Sequence, residues 1–221
     1  MSNTSEAPQL ARSIATEAAD RAGVTVEPVT SLDQIADVIG VFDRIWGTSD
    51  GSGHLPAEVL RAQIHAGNYA SCASLDGTIA GAVVGFLGLE ADATVFLHSH
   101  ILGVDAARHG GSIGFALKQD QRAWCLERGI DRVTWTYDPL VRRNAHFNLN
   151  KLGADAAAYL ENFYGVMPDA INAGDDTDRL LISWPLLSDR TEHAARVGSV
   201  ESTFDVDPTM IALDEDPNGA P

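Results

Sequence analysis

From Leu97 to Gly153 the chain reads as strand, glycine-rich turn, helix, strand and helix, an order that few folds accept. The segments are LHSHILGV, DAARHGGSIG, FALKQDQRAWCLERG, IDRVTWTYDPL and VRRNAHFNLNKLG. A strand that breaks into clustered glycines and returns as a helix leaves backbone N–H groups unpaired at a helix N-terminus. The helix dipole is positive at that end, so the expected ligand is a phosphate. Lys118 lies one turn into the helix, within reach of such a ligand. A tight turn before a helix is the alternative reading. A Walker loop is excluded, because no Gly-Lys-Ser/Thr follows. GGSIG also lacks the G-x-G-x-x-G spacing of a dinucleotide site, and the strand before it belongs to a meander.

The upstream chain supplies that meander. Val24 to Val29 alternate as a strand. Ser31 is placed to cap SLDQIADVIGVFDRIWG, where Leu32, Ile35, Val38, Ile39, Phe42 and Ile45 recur at helical spacing and Gly47 stops the helix. After the loop TSDGSGH, Pro56 opens a short helix through Ala66. Tyr69–Leu75 and Thr78–Leu89 read as strands joined by the hairpin turn Asp76-Gly77, and Thr94–Val104 as the next strand. Beyond Gly153, ADAAAYL and DRLLISWPL read as strands flanking a loop. The expected organisation is a tail or loosely docked helix over residues 1–22, one domain over 23–187, and an acidic tail, partly disordered, over 188–221.

Composition narrows the function. Hydrophobic residues make up 45% and charged residues 21%, enough apolar material for a sizeable core. The formal net charge of −16 leaves no basic stripe for a nucleic acid. Only two lysines occur, Lys118 and Lys151; the other basic residues are arginines. Such a balance suits a salty cytoplasm, and a GC-rich genome produces it equally well. Cys72 and Cys125 form no metal motif and no disulfide framework, and read as buried thiols in a reducing compartment. The polar N-terminus has no apolar leader core, and no run is long enough to span a membrane, so a soluble, cytoplasmic protein is expected.

The order of elements from Val24 to about Pro185 resembles the GNAT N-acyltransferase superfamily. The superfamily loop is usually Arg/Gln-x-x-Gly-x-Gly/Ala. Its frame here is His109-Gly110-Gly111-Ser112-Ile113-Gly114, with His for Arg/Gln and Ser for the first Gly; Arg108 stands one place out of frame. LHSHILGV, GFALKQDQRAW, WTYDPL, RNAHFNLNKLG, NFYG and TDRLLISW are similar, in the same order, to a group of predicted bacterial and archaeal GNAT enzymes. The resemblance implies an α/β (α+β) fold: a mixed, mostly antiparallel central sheet with helices on both faces and a splayed strand pair. It implies acetyl-CoA or another acyl-CoA as co-substrate and no metal. It names no acceptor; a primary amine on a small molecule such as an amino acid is the expectation. A protein N-acetyltransferase and a non-catalytic acyl-CoA-binding module are the alternatives. Neither a monomer nor a homodimer is excluded.

In that frame the strand ending at Val104 splays from Arg132–Tyr137. Backbone groups of Leu102, Gly103 and Val104 are then free to pair with the pantetheine arm as an added strand would. His109, Gly110, Gly111, Ser112, Ile113 and Gly114 take the pyrophosphate, and Asn144 contacts the cofactor. Arg142 or Arg143 pairs with a phosphate or a carboxylate, or stays solvated. His98 and His100, two apart on one strand, are candidate general bases or packed histidines. The tyrosine acid common in the superfamily is replaced by Leu149, which leaves Tyr137 and Tyr164 as candidates. Asp138 orients an ammonium or caps the helix near Val141. A zinc site on His98, His100 and His109 is the weaker reading of the histidines.

Overall fold

The computed structural model describes residues 6–47, 55–105, 107, 112–165 and 177–200. Seven strands form one sheet: β1 Thr25–Pro28, β2 Tyr69–Leu75, β3 Thr78–Leu89, β4 Val95–Val104, β5 Arg132–Tyr137, β6 Asp155–Leu160 and β7 Arg179–Pro185. The spatial order is β1-β2-β3-β4-β5-β7-β6, and every neighbouring pair is antiparallel except β4–β5. The mixed, mostly antiparallel sheet expected from sequence is present. Six α-helices are present among the described residues: α1 Glu6–Ala22, α2 Leu32–Trp46, α3 Ala57–His65, α4 Ile113–Leu126, α5 Arg142–Ala145 and α6 Asp189–Val197. A π-helical turn, His146–Lys151, continues α5. Among the described residues no helix is long and apolar enough to cross a membrane.

Local chemistry sets the boundaries. Ser31 Oγ accepts from the Gln34 amide at 3.1 Å while Gln34 Oε1 accepts from the Ser31 amide at 3.1 Å, a reciprocal cap that starts α2. Gly47, at φ 68°, ends it. The helices then cover both faces of the sheet. Ile35, Val38, Phe42 and Leu60 pack with Cys72, Ala82 and Val84 on one face. On the other, α1 and α4 pack against Val83, Leu97, Val133 and Trp184. Each fully buried aliphatic side chain contributes about 1.5–3 kcal/mol before entropy is subtracted.

Two boundaries differ from the sequence expectation. Residues 1–22 were expected as a tail or loosely docked helix, yet α1 places Ala11, Ala15 and Ala18 in the main core. Arg12 also bonds Asp120 and Glu127 of α4. The domain was expected to end at residue 187, yet α6 buries Thr191, Ala194 and Ala195, and Ala194 packs against Gly153. Both helices dock through small residues, which carry little apolar signal. The end of the expected acidic tail, residues 201–221, lies outside the described residues.

One irregularity positions the cleft. Gly85 pairs with Ser99 and Val84 with Ile101, so His100 is an extra residue in β4, a bulge. The bulge flips the alternation of side chains. Before it, Leu97 faces α4; after it, Leu102 and Val104 face α4 while Ile101 turns to the α2 face. Gly85 permits the bulge, since a Cβ there would lie 2.8 Å from the His98 carbonyl oxygen.

Candidate active site

β4 and β5 are paired only at Leu97–Val133 and His98–Thr134. Past those residues β4 stays with β3 and β5 with β7, and the two parallel strands separate. The opening leaves one backbone edge of β4 unpaired from Ser99 onward. A cleft of about 940 Å³ fills the gap and reaches the first turn of α4. Gly103 lets α2 close one wall, since a Cβ there would lie 2.6 Å from Ile45 Cδ1 and 3.0 Å from the Trp46 ring.

The N-terminus of α4 suits an anion. Its N-cap, Ser112, is left-handed at φ 61° and its side chain caps nothing. The first-turn amides therefore keep their donors without a side-chain acceptor from that position. Among the described residues, Arg21, Lys118, Arg143, Lys151 and Arg179 line the cleft, with Asp138 as the carboxylate. Both lysines of a chain with net charge −16 thus lie in one cavity.

Most of the expected site residues gather here. His100, Tyr137, Leu102, Val104, Ser112, Ile113, Gly114 and Asn144 all line the cleft. His109, Gly110 and Gly111, with Arg108, lie outside the described residues. His98 is not among the lining residues. Its Nδ1 is 3.0 Å from Thr134 Oγ1, tying β4 to β5 at their last paired position. Both histidines pack on Phe86, with ring centroids 5.1 Å and 5.8 Å away. Burial, helped by the charges of His100 and Lys118, lowers the His98 pKa to about 4, and burial also lowers that of His100. Both are therefore neutral imidazoles near pH 7. Burial raises the Tyr137 phenol above its ordinary value, which weakens it as an acid.

Other expectations change with the geometry. Asp138 does not cap α5: its Oδ1 accepts from the Leu140 amide at 2.8 Å, closing a local turn. Tyr164 bonds Thr136 Oγ1 at 3.0 Å and is not among the cleft residues. Arg143 lines the cleft and Arg142 does not. Leu149 packs against the main core. Cys72 and Cys125 are buried thiols, and burial pushes Cys72 up to about 11.

Lys118 was expected to reach toward a phosphate. Instead it runs beneath the sheet. Nζ donates to Ser99 Oγ at 2.8 Å and Gln121 Oε1 at 2.9 Å, and lies 3.9 Å from the centroid of the Trp135 ring. Sequence reading also passed over Lys151, Arg179, Phe147 and Asn148 as cleft residues. The run HFNLNK gave no sign of the π-helical turn that carries Phe147 and Asn148.

No protein-family model matches the sequence, and no curated protein sequence matches it. Solved structures do match. Naa50 of Arabidopsis thaliana, in complex with the bisubstrate analogue CoA-Ac-MVNAL, is 18% identical over 73% of this chain and 97% of its own, with a TM-score of 0.55. An acetyltransferase of the GNAT family from Streptococcus pneumoniae is 16% identical over 72% and 97%, with a TM-score of 0.57. An aminoglycoside acetyltransferase from an uncultured soil metagenomic sample, in complex with sisomicin, is 19% identical over 57% and 84%, with a TM-score of 0.51. The chain has the fold of the GNAT acetyltransferases.

Proposed function

We propose that this chain is an acyl-CoA-dependent N-acyltransferase that moves an acetyl or other short acyl group to a primary amine of a small molecule. The observation that carries the reading is the open edge of β4 past His98, which runs along the cleft to the uncapped first turn of α4. An amide-rich, phosphate-terminated chain fits those two features together. The β4 backbone from Ser99 to Val104 pairs with amides as an added strand does. The α4 amides take phosphate oxygens, and Arg143 and Lys151 neutralise phosphate charge. Bound acyl-CoA supplies a thioester carbonyl as the electrophile. Trp46, Trp135 and Phe147 are apolar walls of the cleft that exclude water and strengthen each polar contact.

The acceptor is the finer part of the reading. GNAT-fold relatives named above include one held with a peptide-bearing analogue and one held with an aminoglycoside. The chain carries a net charge of −16, and basic side chains line the cleft. Cationic amines are drawn to such a net charge, and an acceptor with a carboxylate finds Arg179 inside. An amino acid satisfies both.

The test is titration calorimetry with CoA and acetyl-CoA, followed by thiol release with acetyl-CoA over a panel of amines, amino acids and peptides. Binding with turnover on small amines is the expected result. Turnover on peptides alone would shift the acceptor to protein N-termini. Binding with no thiol release from any amine would leave a non-catalytic acyl-CoA-binding module.

A further inference from the structure

Lys118 sits where the two strands part. The last paired residues are His98 and Thr134; the next residue on each strand is Ser99 and Trp135. Lys118 Nζ contacts both, by a 2.8 Å hydrogen bond to Ser99 Oγ and a 3.9 Å approach to the Trp135 ring centroid. Its third contact, Gln121 Oε1 at 2.9 Å, is neutral as well. Lys118 is 3% exposed and still lines the cleft. A buried ammonium is ordinarily matched by a carboxylate. Among the described residues this one bonds only a hydroxyl and an amide and faces an aromatic ring.

We propose that Lys118 is the proton-transfer residue at the acyl-transfer point, protonating the departing CoA sulfur and receiving the proton that the acceptor nitrogen sheds. The inference rests on the acyl-CoA reading above. In the step, the amine lone pair forms the C–N bond and the C–S bonding pair leaves on sulfur. The Lys118 ammonium gives one proton to that sulfur, forming the CoA thiol. The neutral Lys118 amine then takes a proton from the new amide nitrogen, directly or through one water. Lys118 finishes as it began, and no other reactant is consumed.

The neighbouring groups leave this task to Lys118. Burial brings its pKa down to about 7, so both protonation forms are populated near neutrality. His98 on β4 and Cys125 on α4 are close enough to Lys118 to feel its charge, and His100 on β4 and Tyr137 on β5 line the same cleft. His98 and His100 hold no proton to give near pH 7, and burial pushes Tyr137 and Cys125 above their ordinary values. Leu149 stands where the resemblance places the usual tyrosine acid, and it packs in the core. Ser99 and Gln121 hold the amine without fixing its charge, and are positioning residues.

The first experiment is competitive labelling of the intact protein with acetic anhydride over about pH 5.5 to 9, read by mass spectrometry at Lys118 with Lys151 as internal reference. Labelling of Lys118 should rise through a midpoint near 7. Saturating CoA should slow it about tenfold or more, while 3′,5′-ADP, which lacks the pantetheine arm, should leave it unchanged. CoA that binds by calorimetry without protecting Lys118 overturns the assignment and leaves the acyl-CoA reading standing; CoA that does not bind at all overturns both. The second is Lys118→Met, with thiol release assayed on the best amine. The expected loss in kcat is about 100-fold or more, with CoA affinity within about threefold of wild type and the limb of the pH profile near 7 abolished. Lys118→Arg should not rescue, since a guanidinium does not give up its proton. A Lys118→Met enzyme with kcat and pH profile near wild type overturns the proposal. The labelling arm needs neither an acceptor nor a folded variant.

Discussion

Gly114→Ala separates what the glycine does for the helix from what it does for the cleft. Gly114 is the second residue of α4 and is not among the glycines with positive φ, so alanine fits its backbone. The added Cβ would lie 3.7 Å from Leu102 Cδ2 and 3.8 Å from both Phe147 Cζ and Val104 Cγ2, ordinary contact distances. Nothing must move to admit it. Replacing glycine by alanine in a helix stabilises by about 0.5–1 kcal/mol, which for a chain of this size raises Tm by about 1–4 °C. Those three contact residues all line the cleft, so the methyl group projects into the space between β4 and the π-helical turn. A ligand threaded between them loses its closest approach to the α4 amides. The expected cost is about tenfold in CoA Kd, or about 1.4 kcal/mol. Thermal melting and calorimetry on the same sample read both effects. A higher Tm with unchanged CoA affinity would refute the path assigned to the pantetheine arm. A lower Tm would refute the claim that the position is sterically open.

Four further substitutions test the frame around the site. Gly85→Ala drives a Cβ against the His98 carbonyl at the β4 bulge; overpacking of about 2 kcal/mol should lower Tm by about 4–8 °C, and an unchanged melt would show that the bulge has room. Ala15→Glu places a charge at a core position of α1 and should lower Tm by more than about 5 °C, whereas a melt within a degree or so of wild type would return α1 to a loosely docked helix. Ser31→Ala removes one half of the reciprocal cap on α2 and should cost about 1 kcal/mol by urea denaturation; no loss would mean that Gln34 holds the cap alone. For His98, the folded pKa of about 4 lies below the ordinary value of 6.5, so between those values the unfolded chain binds the extra proton. Its contribution is therefore present above about pH 6.5 and is lost as pH falls toward 4. His98→Gln should flatten that part of the wild-type stability curve, and parallel curves would remove His98 as the cause.

The parts of the fold legible in the sequence are those whose signal is local. Asp76-Gly77 announces the β2–β3 hairpin, and the Ser31 cap with its apolar stripe announces α2. The core docking of the two helices that extend the domain was illegible for a shared reason. The buried stripe of α1 is Ala11, Ile14, Ala15 and Ala18, and that of α6 is Thr191, Ala194 and Ala195. Small side chains allow close packing yet give almost no periodic hydrophobic signal. On α4, Ala116, Leu117, Ala123 and Trp124 pack in or against the main core. In the structure Lys118, Gln119, Gln121 and Arg122 are buried too, Lys118 against Ser99 and Trp135 of the sheet. The Arg122 guanidinium finds the Leu186 carbonyl at 2.9 and 3.0 Å, a partner 64 residues away that no local pattern predicts.

The site divides along the same line. The expectation of a splayed pair came with the GNAT resemblance, and that of a helix N-terminus at its mouth from the glycine-rich turn; the structure pairs β4 with β5 at two positions only. Side-chain direction followed from neither. The His100 bulge is one extra residue, and it decides that Leu102 and Val104 turn toward α4. Lys118 is the sharper case. Arginines hold the ion pairs elsewhere, as in Arg12 with Asp120 and Glu127, where a fixed fork suits carboxylates. Both lysines were kept for the cleft. An arginine at position 118 would stay charged at every accessible pH, and burying it without a carboxylate would cost stability throughout. A lysine there relieves the cost by releasing its proton near neutrality, which is also the property that a proton-transfer group requires.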